Sequence, residues 1–438
     1  MGQRRRRSQR SPDDPLVHRV APGARVDRLE LFFDLVFVYA FFSVTNTAAR
    51  ELNAGGLLQG LLMLALLWWS WCAHTVVANR VRLGEGIAPP AMFGAMAAVF
   101  VIALAVPHAF EDQPGGLYGP LIFAVGYFAV RSVHLVLHWY TARGDPPLRR
   151  QLRRLSASMS VATALLVLAA YLPEHVEGRY ENAVRFSLWI LAVAVEYGTG
   201  LRIGLWGWAV ASAGHWVERF ELIVIVAFGE SIISIGVGSE LTGQAITWLT
   251  VVTAMLGITV IATLWWAYFD LVGPAALHTM HGTHGTARVA LARDGYIYLH
   301  LPMIAGLITL ALGAKPVLHH LGTLGVDLRA PLPGSGVALG YGGVALYLLG
   351  LVGFQLRVLG TLLWTRLITI VLVLGLTPVA VRLPALAAVA VLTAVCLALL
   401  STELVVLRQS RHALHDAVRR ERAAHEARET EWRREPYG

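Results

Sequence analysis

Asp34, Arg131, Glu230 and His300 are ionisable side chains set in runs of residues that are otherwise apolar. At the centre of a membrane-spanning helix such a group costs on the order of 2.5–3.5 kcal/mol on insertion scales, so each asks for a partner or a wet cavity. Buried carboxylates suit ion coordination or proton exchange, a buried arginine suits a fixed counter-charge, and an imidazole titrates near neutral pH. Glu230 is the most conspicuous of them. It follows Arg219 by eleven residues, or roughly 16 Å at 1.5 Å per residue, which is close to the bilayer midplane. Gly229 and Ser231 flank it and allow a neighbouring helix to approach. A protonated glutamate tying two helices together and an ion or proton site both fit this pattern.

Glu30 and Asp34 stand at i and i+4 and share a helix face, with Arg28 just before them. That face is expected to point inward, although Glu30 also fits a solvated interfacial anchor. Arg131 is followed by His134 and His138 on broadly the same face and is a plausible counter-ion for Glu230, in a structural or a functional pair. In RDGYIYLHLPMIAG, Asp294, Tyr298 and His300 precede Pro302, which should bend the helix, and Gly306, which permits close packing. His300 fits either a titrating group or an imidazole hydrogen-bonded to a carbonyl. Arg28, Glu218, Arg219 and Glu221 read as charges at helix mouths. His278, His281 and His284 are regularly spaced but have no acidic or thiolate partner close by, so no metal site is assigned. Trp68, Trp69, Trp265 and Trp266 read as packing or interfacial aromatics. No phosphate loop, nucleophile elbow, CxxC pair or HExxH stretch occurs. No cofactor is expected, and an enzyme is the less favoured reading.

The elements that must position these groups repeat. VDRLEL at 26–31 returns as VERFEL at 217–222, and LWWSW at 67–71 returns as LWWAY at 264–268. With 56% of its 438 residues hydrophobic and 15% charged, the chain has more apolar side chains than a water-soluble core can hide. We read twelve spans, near 30–48, 57–78, 90–108, 119–140, 155–172, 183–203, 218–238, 246–270, 295–313, 337–356, 366–381 and 384–407. The expected fold is an all-α integral membrane protein of two six-helix repeats, at 30–203 and 218–407, joined by a linker at 204–217. Six is an even number, so the repeats should insert in the same orientation.

A basic segment at 1–29, without a secretory signal, and a charged tail at 408–438 flank the repeats. Arginine collects in the leading segment and in the even-numbered loops, which predicts both termini in the cytoplasm. The net charge of +8 follows this topology and does not point to nucleic acid. Cys72 and Cys396 both fall in predicted spans and cannot form a disulfide framework. The partners expected are the lipid bilayer of a plasma membrane and a small ion or solute.

ELFFDLVFV (30–38), ERFELIVIVAFGESI (218–232) and RDGYIYLHLPMIAG (293–306) resemble the bacterial low temperature requirement protein A family, and the likeness runs from about residue 25 to residue 407. The resemblance implies a polytopic membrane protein and fixes neither reaction nor substrate. Arg28, Phe32 and Asp34 are also similar in spacing to the first helix of the endolysosomal potassium channel family, with Phe33 where that family has Ser. Its second-repeat equivalents are Ile223, Val224 and Ile225, which do not support a symmetric gate. The favoured expectation is a transporter or channel with a polar route past Asp34, Arg131, Glu230 and His300. The alternative is a scaffold whose polar pairs fix helix register and support growth in the cold.

Overall fold

The computed structural model describes residues 25–113, 115–202, 209–237, 247–322, 331–332, 335–409, 411–412 and 416. Most of the basic segment, part of the linker and most of the charged tail lie outside the described residues. Within them the chain is helical, with one isolated bridge between Pro331 and Pro384. In order the helices are α1 (Arg28–Arg50), α2 (Ala54–Ala78), α3 (Ala88–Ala105), α4 (Gly119–Thr141), α5 (Pro146–Tyr171), α6 (Gly178–Arg202) and α7 (Ala213–Val237). They continue as α8 (Trp248–Phe269), α9 (Val272–Gly282), α10 (Gly285–Leu291), a π-helical turn (Ala292–Tyr298), α11 (His300–Gly322), α12 (Gly336–Leu359), α13 (Trp364–Ala380) and α14 (Ala385–Val406).

Local chemistry sets several of these ends. Asp27 caps α1 through the Arg28 N–H, and Asn53 caps α2 through the Gly56 N–H. Asp145 accepts from the Leu148 N–H where Pro146 and Pro147 open α5, and Thr247 caps α8. Gly360 closes α12 at φ 65°, a left-handed conformation that suits glycine.

Ten helical stretches among the described residues are long and apolar enough to cross a bilayer, and α13 is a shorter apolar helix. The distribution of polarity matches that reading. Phe32, Leu35, Phe93, Phe100, Met255 and Val371 face outward, whereas Glu30, Asp34, Arg131, Glu196, Arg219, Glu230 and Arg366 are buried. A water-soluble protein arranges these classes the other way round. α7 packs against α1, α8, α9 and α11, which places its charges at the centre of the bundle.

The closest helix pair is α11 with α12, and glycine makes it so. A Cβ on Gly306 would drive into the Tyr347 backbone, and one on Gly343 into the Leu310 backbone. Small residues at a helix crossing let backbones touch, which in a bilayer replaces the hydrophobic driving force. The expected close packing at Gly306 is therefore present. The expected bend takes another form, a π-helical turn ahead of Pro302, in which the Leu299 N–H reaches back to the Asp294 carbonyl at 3.2 Å. Carbonyls in this turn are met by side chains: His300 Nδ1 lies 3.1 Å from the Gly295 oxygen, and the Trp68 indole donates to the Ile297 oxygen at 2.8 Å.

Candidate functional site

The charged groups gather in separate places. At the mouth of α1 and α7, Arg219 donates to the Asp34 carboxylate at 2.7 Å and to the Glu30 carbonyl at 3.0 Å, with its Nε 3.5 Å from the Glu30 carboxylate. Trp71 on α2 donates to the other Asp34 oxygen at 2.8 Å, and the Arg219 guanidinium lies over the Trp71 ring. Asn79 donates to the Ser212 carbonyl and accepts from the Ala211 N–H, which fixes its amide so that its N–H₂ faces His215 Nδ1 at 3.2 Å. His215 Nδ1 therefore accepts, and its Nε2–H donates to Glu30 at 2.9 Å. The two echoed motifs thus meet in one ionic knot, acids from α1 and the arginine from α7.

Along α1 from this knot, the twelve residues from Asp34 to Asn46 span about 18 Å. There Lys315 of α11 donates to Asn46 and acts electrostatically on Glu230. Glu230 is fully buried; one oxygen accepts from Ser234 at 2.5 Å and the other has no hydrogen-bond partner. His300 sits apart from both clusters, stacked on Tyr296 and paired with the Tyr268 hydroxyl at 3.0 Å. Asp294 is shared between Arg293 at 2.7 Å and Arg357 at 2.9 Å. Glu218 accepts from the Val26 N–H at 3.2 Å, Arg28 is exposed, and Glu221 is half-buried against Gly273.

Arg131 is paired with Glu196 of α6, not with Glu230. Depth along a helix suggested the wrong partner because it carries no information on which helices are neighbours. The Glu196 carboxylate accepts from the Trp69 indole at 2.8 Å, the Tyr127 hydroxyl at 2.7 Å, Arg131 at 3.2 Å and Ser158 at 3.2 Å. Three of these donors converge on one oxygen, and the Ser158 hydroxyl is shared with the Val195 carbonyl at 3.3 Å. Arg131 also lies 3.4 Å from His134 Nδ1, and its Nε–H has no partner.

Arg131 lies beside a cleft of about 90 Å³ between α2, α4, α5 and α6 on one side and the π-helical turn on the other. Trp69, Cys72, Ala73 and Val76 of α2 line it, with His134 and His138 of α4, Gln151 and Leu155 of α5, and Gly200 of α6. Arg293, Ile297 and Tyr298 line the opposite side. Gly200 has no room for a side chain, since a Cβ would come within 2.5 Å of the Trp69 ring and 2.7 Å of the Tyr298 hydroxyl. Neither ring nitrogen of the buried His138 has a partner, nor does the Gln151 side-chain oxygen. Of the four residues expected to share one polar route, Arg131 lines this cleft.

The pattern of the family described as Bacterial low temperature requirement A protein (LtrA) matches residues 25–401. The chain belongs to the LtrA family. A relative in Rhizobium meliloti (strain 1021), the uncharacterized protein RA0937, is 28% identical over 308 residues, covering 68% of this chain and 70% of the relative.

In this LtrA protein, several groups that the sequence reading passed over hold central positions. Glu196 is the acid that Arg131 needs, and as a lone carboxylate in a predicted span it met the same test that singled out Glu230. His215 completes the knot at Glu30. Arg366, the first residue of the span expected at 366–381, is fully buried on α13 and forms a two-pronged pair with Glu403 of α14 at 2.7 and 3.0 Å. Trp69 and Trp71, although packed, also donate indole N–H groups to carboxylates, which residue type alone does not reveal.

Proposed function

We propose that this LtrA protein is a transporter or channel that carries a small ion or solute along a polar interior between two like-oriented halves. In this reading the chain crosses a bacterial plasma membrane about twelve times, with both termini in the cytoplasm. α1–α6 form one repeat and α7–α14 the other. The cleft beside Arg131 supports it most directly, because it lies where helices of the first half face the π-helical turn of the second and carries buried polar atoms that no protein group satisfies. Non-helical or irregular backbone at membrane depth is tolerated where it lines a cavity, and π-turns recur at functional sites. Glu230, with one unmet oxygen near Lys315, is the proposed second station.

Flux in proteoliposomes under imposed potassium, proton or phosphate gradients tests the proposal. Filling the cleft with Val76→Trp is expected to reduce flux at least tenfold, corresponding to about 1.4 kcal/mol or more. Unchanged flux would take the cleft out of the route, and unchanged flux in Glu230→Gln would take that residue out. The buried ion pairs of Arg219 with Asp34 and of Arg366 with Glu403 favour a second reading, in which such pairs fix helix register in a scaffold. There, charge-neutral substitutions on both partners of a pair should rescue each other, and no gradient should be dissipated.

A further inference from the structure

We infer that the cleft beside Arg131 binds a small protonated oxyanion, of which hydrogen phosphate is the simplest. The inference names the solute class of the proposed transport reading and rests on that reading for its role, though not for the binding itself. Charge comes first. Two arginines, Arg131 and Arg293, line the cleft and no carboxylate does, their acid partners Glu196 and Asp294 lying outside the lining. Arg80 is also close enough to His138 to act on it. A ligand suited to a lining that has arginines and no acid is an anion.

The unmet hydrogen-bonding groups then narrow its kind. Arg131 offers an Nε–H that no protein group accepts, its bond to Glu196 being made through Nη2. His138 is 2% exposed, and both of its ring nitrogens lack partners. A neutral imidazole has one N–H and one lone pair, directed away from each other, so a small ligand meets one of the two. The Gln151 oxygen asks for a donor as well. A halide accepts but has no proton to give. A protonated oxyanion accepts from Arg131 and from the His138 N–H, and donates its O–H to the Gln151 oxygen. Arginine is suited to such oxygens because its charge-assisted bonds to phosphate are short and directional. Either a free anion or the phosphomonoester head of a lipid supplies this chemistry.

The test is thermal unfolding of the full-length chain in detergent, with potassium phosphate compared with potassium chloride at matched ionic strength, and with micelles containing phosphatidic acid. Ligand that binds only the folded state raises the midpoint in proportion to the logarithm of its concentration. Phosphate, phosphatidic acid or both are expected to raise it above the chloride value, and whichever acts identifies the source. His138→Phe and Arg293→Gln should weaken that response about tenfold or more, as expected for a lost charge-assisted bond. A wild-type midpoint no higher in phosphate or phosphatidic acid than in chloride would overturn the inference, and so would an undiminished response in both variants. Stabilisation by phosphate without gradient-driven flux in proteoliposomes would leave the anion site standing and remove the transport reading.

Discussion

Two buried arginines, Arg131 and Arg366, each pair with a glutamate on the last helix of their half of the chain, and their surroundings differ sharply. Arg366 uses four of its five N–H donors, and each of its three nitrogens has a partner: two bonds go to Glu403, one to the Gln355 side chain at 3.0 Å and one to the Ala267 carbonyl at 3.0 Å. Arg131 makes a single 3.2 Å bond to a glutamate crowded by three other donors, leaves its Nε–H unmet and borders a cleft. A satisfied buried pair holds helices in register, and removing one partner strands a charge. An unsatisfied one bears a desolvation cost with no return inside the protein, so something outside the protein is its natural complement.

The sharpest way to break this comparison is to remove each arginine. Arg366→Met should destabilise the chain by about 3–5 kcal/mol, measured by detergent unfolding, because Glu403 then keeps no donor seen in the structure. Arg131→Met should cost less, about 2 kcal/mol, because Trp69, Tyr127 and Ser158 still solvate Glu196. Equal losses would dissolve the distinction. Replacing both partners sharpens it: Arg366→Met with Glu403→Leu should recover most of the stability lost in the single variant, since an apolar pair of similar volume can match a buried ion pair. Smallest of all should be His138→Phe, within about 1 kcal/mol of the parent, because the imidazole it removes makes no hydrogen bond in the structure.

The same contrast shows how far the sequence can be read. Apolar runs of bilayer length marked the long helices, and the i, i+4 spacing put Glu30 and Asp34 together, because both signals are local to one helix. That Arg219 reaches back to those acids was written only as an echo, VDRLEL against VERFEL. The contact itself depends on how α1 and α7 are rotated against each other. Arg131 with Glu196 shows the same limit: hydropathy gives depth and not adjacency, so Glu230 looked like the partner. His300 resolved toward the plainer alternative, bonded to a carbonyl and a tyrosine in an aromatic setting. The π-turn, heralded by Pro302, was legible as an irregularity but not in its form.

The central claim is that the cleft at Arg131 holds water and solute while the surroundings of Arg366 are dry. Its most direct test is the rate at which a charged, membrane-impermeant thiol reagent modifies single cysteines introduced after Cys72 and Cys396 have been replaced. Val76→Cys lines the cleft, and Thr369→Cys lies one helical turn from Arg366 in a buried position. The account expects Val76→Cys to react at least tenfold faster, and to be protected by the anion that stabilises the protein. Equal rates at the two positions, or an inert Val76→Cys in a folded protein, would contradict it.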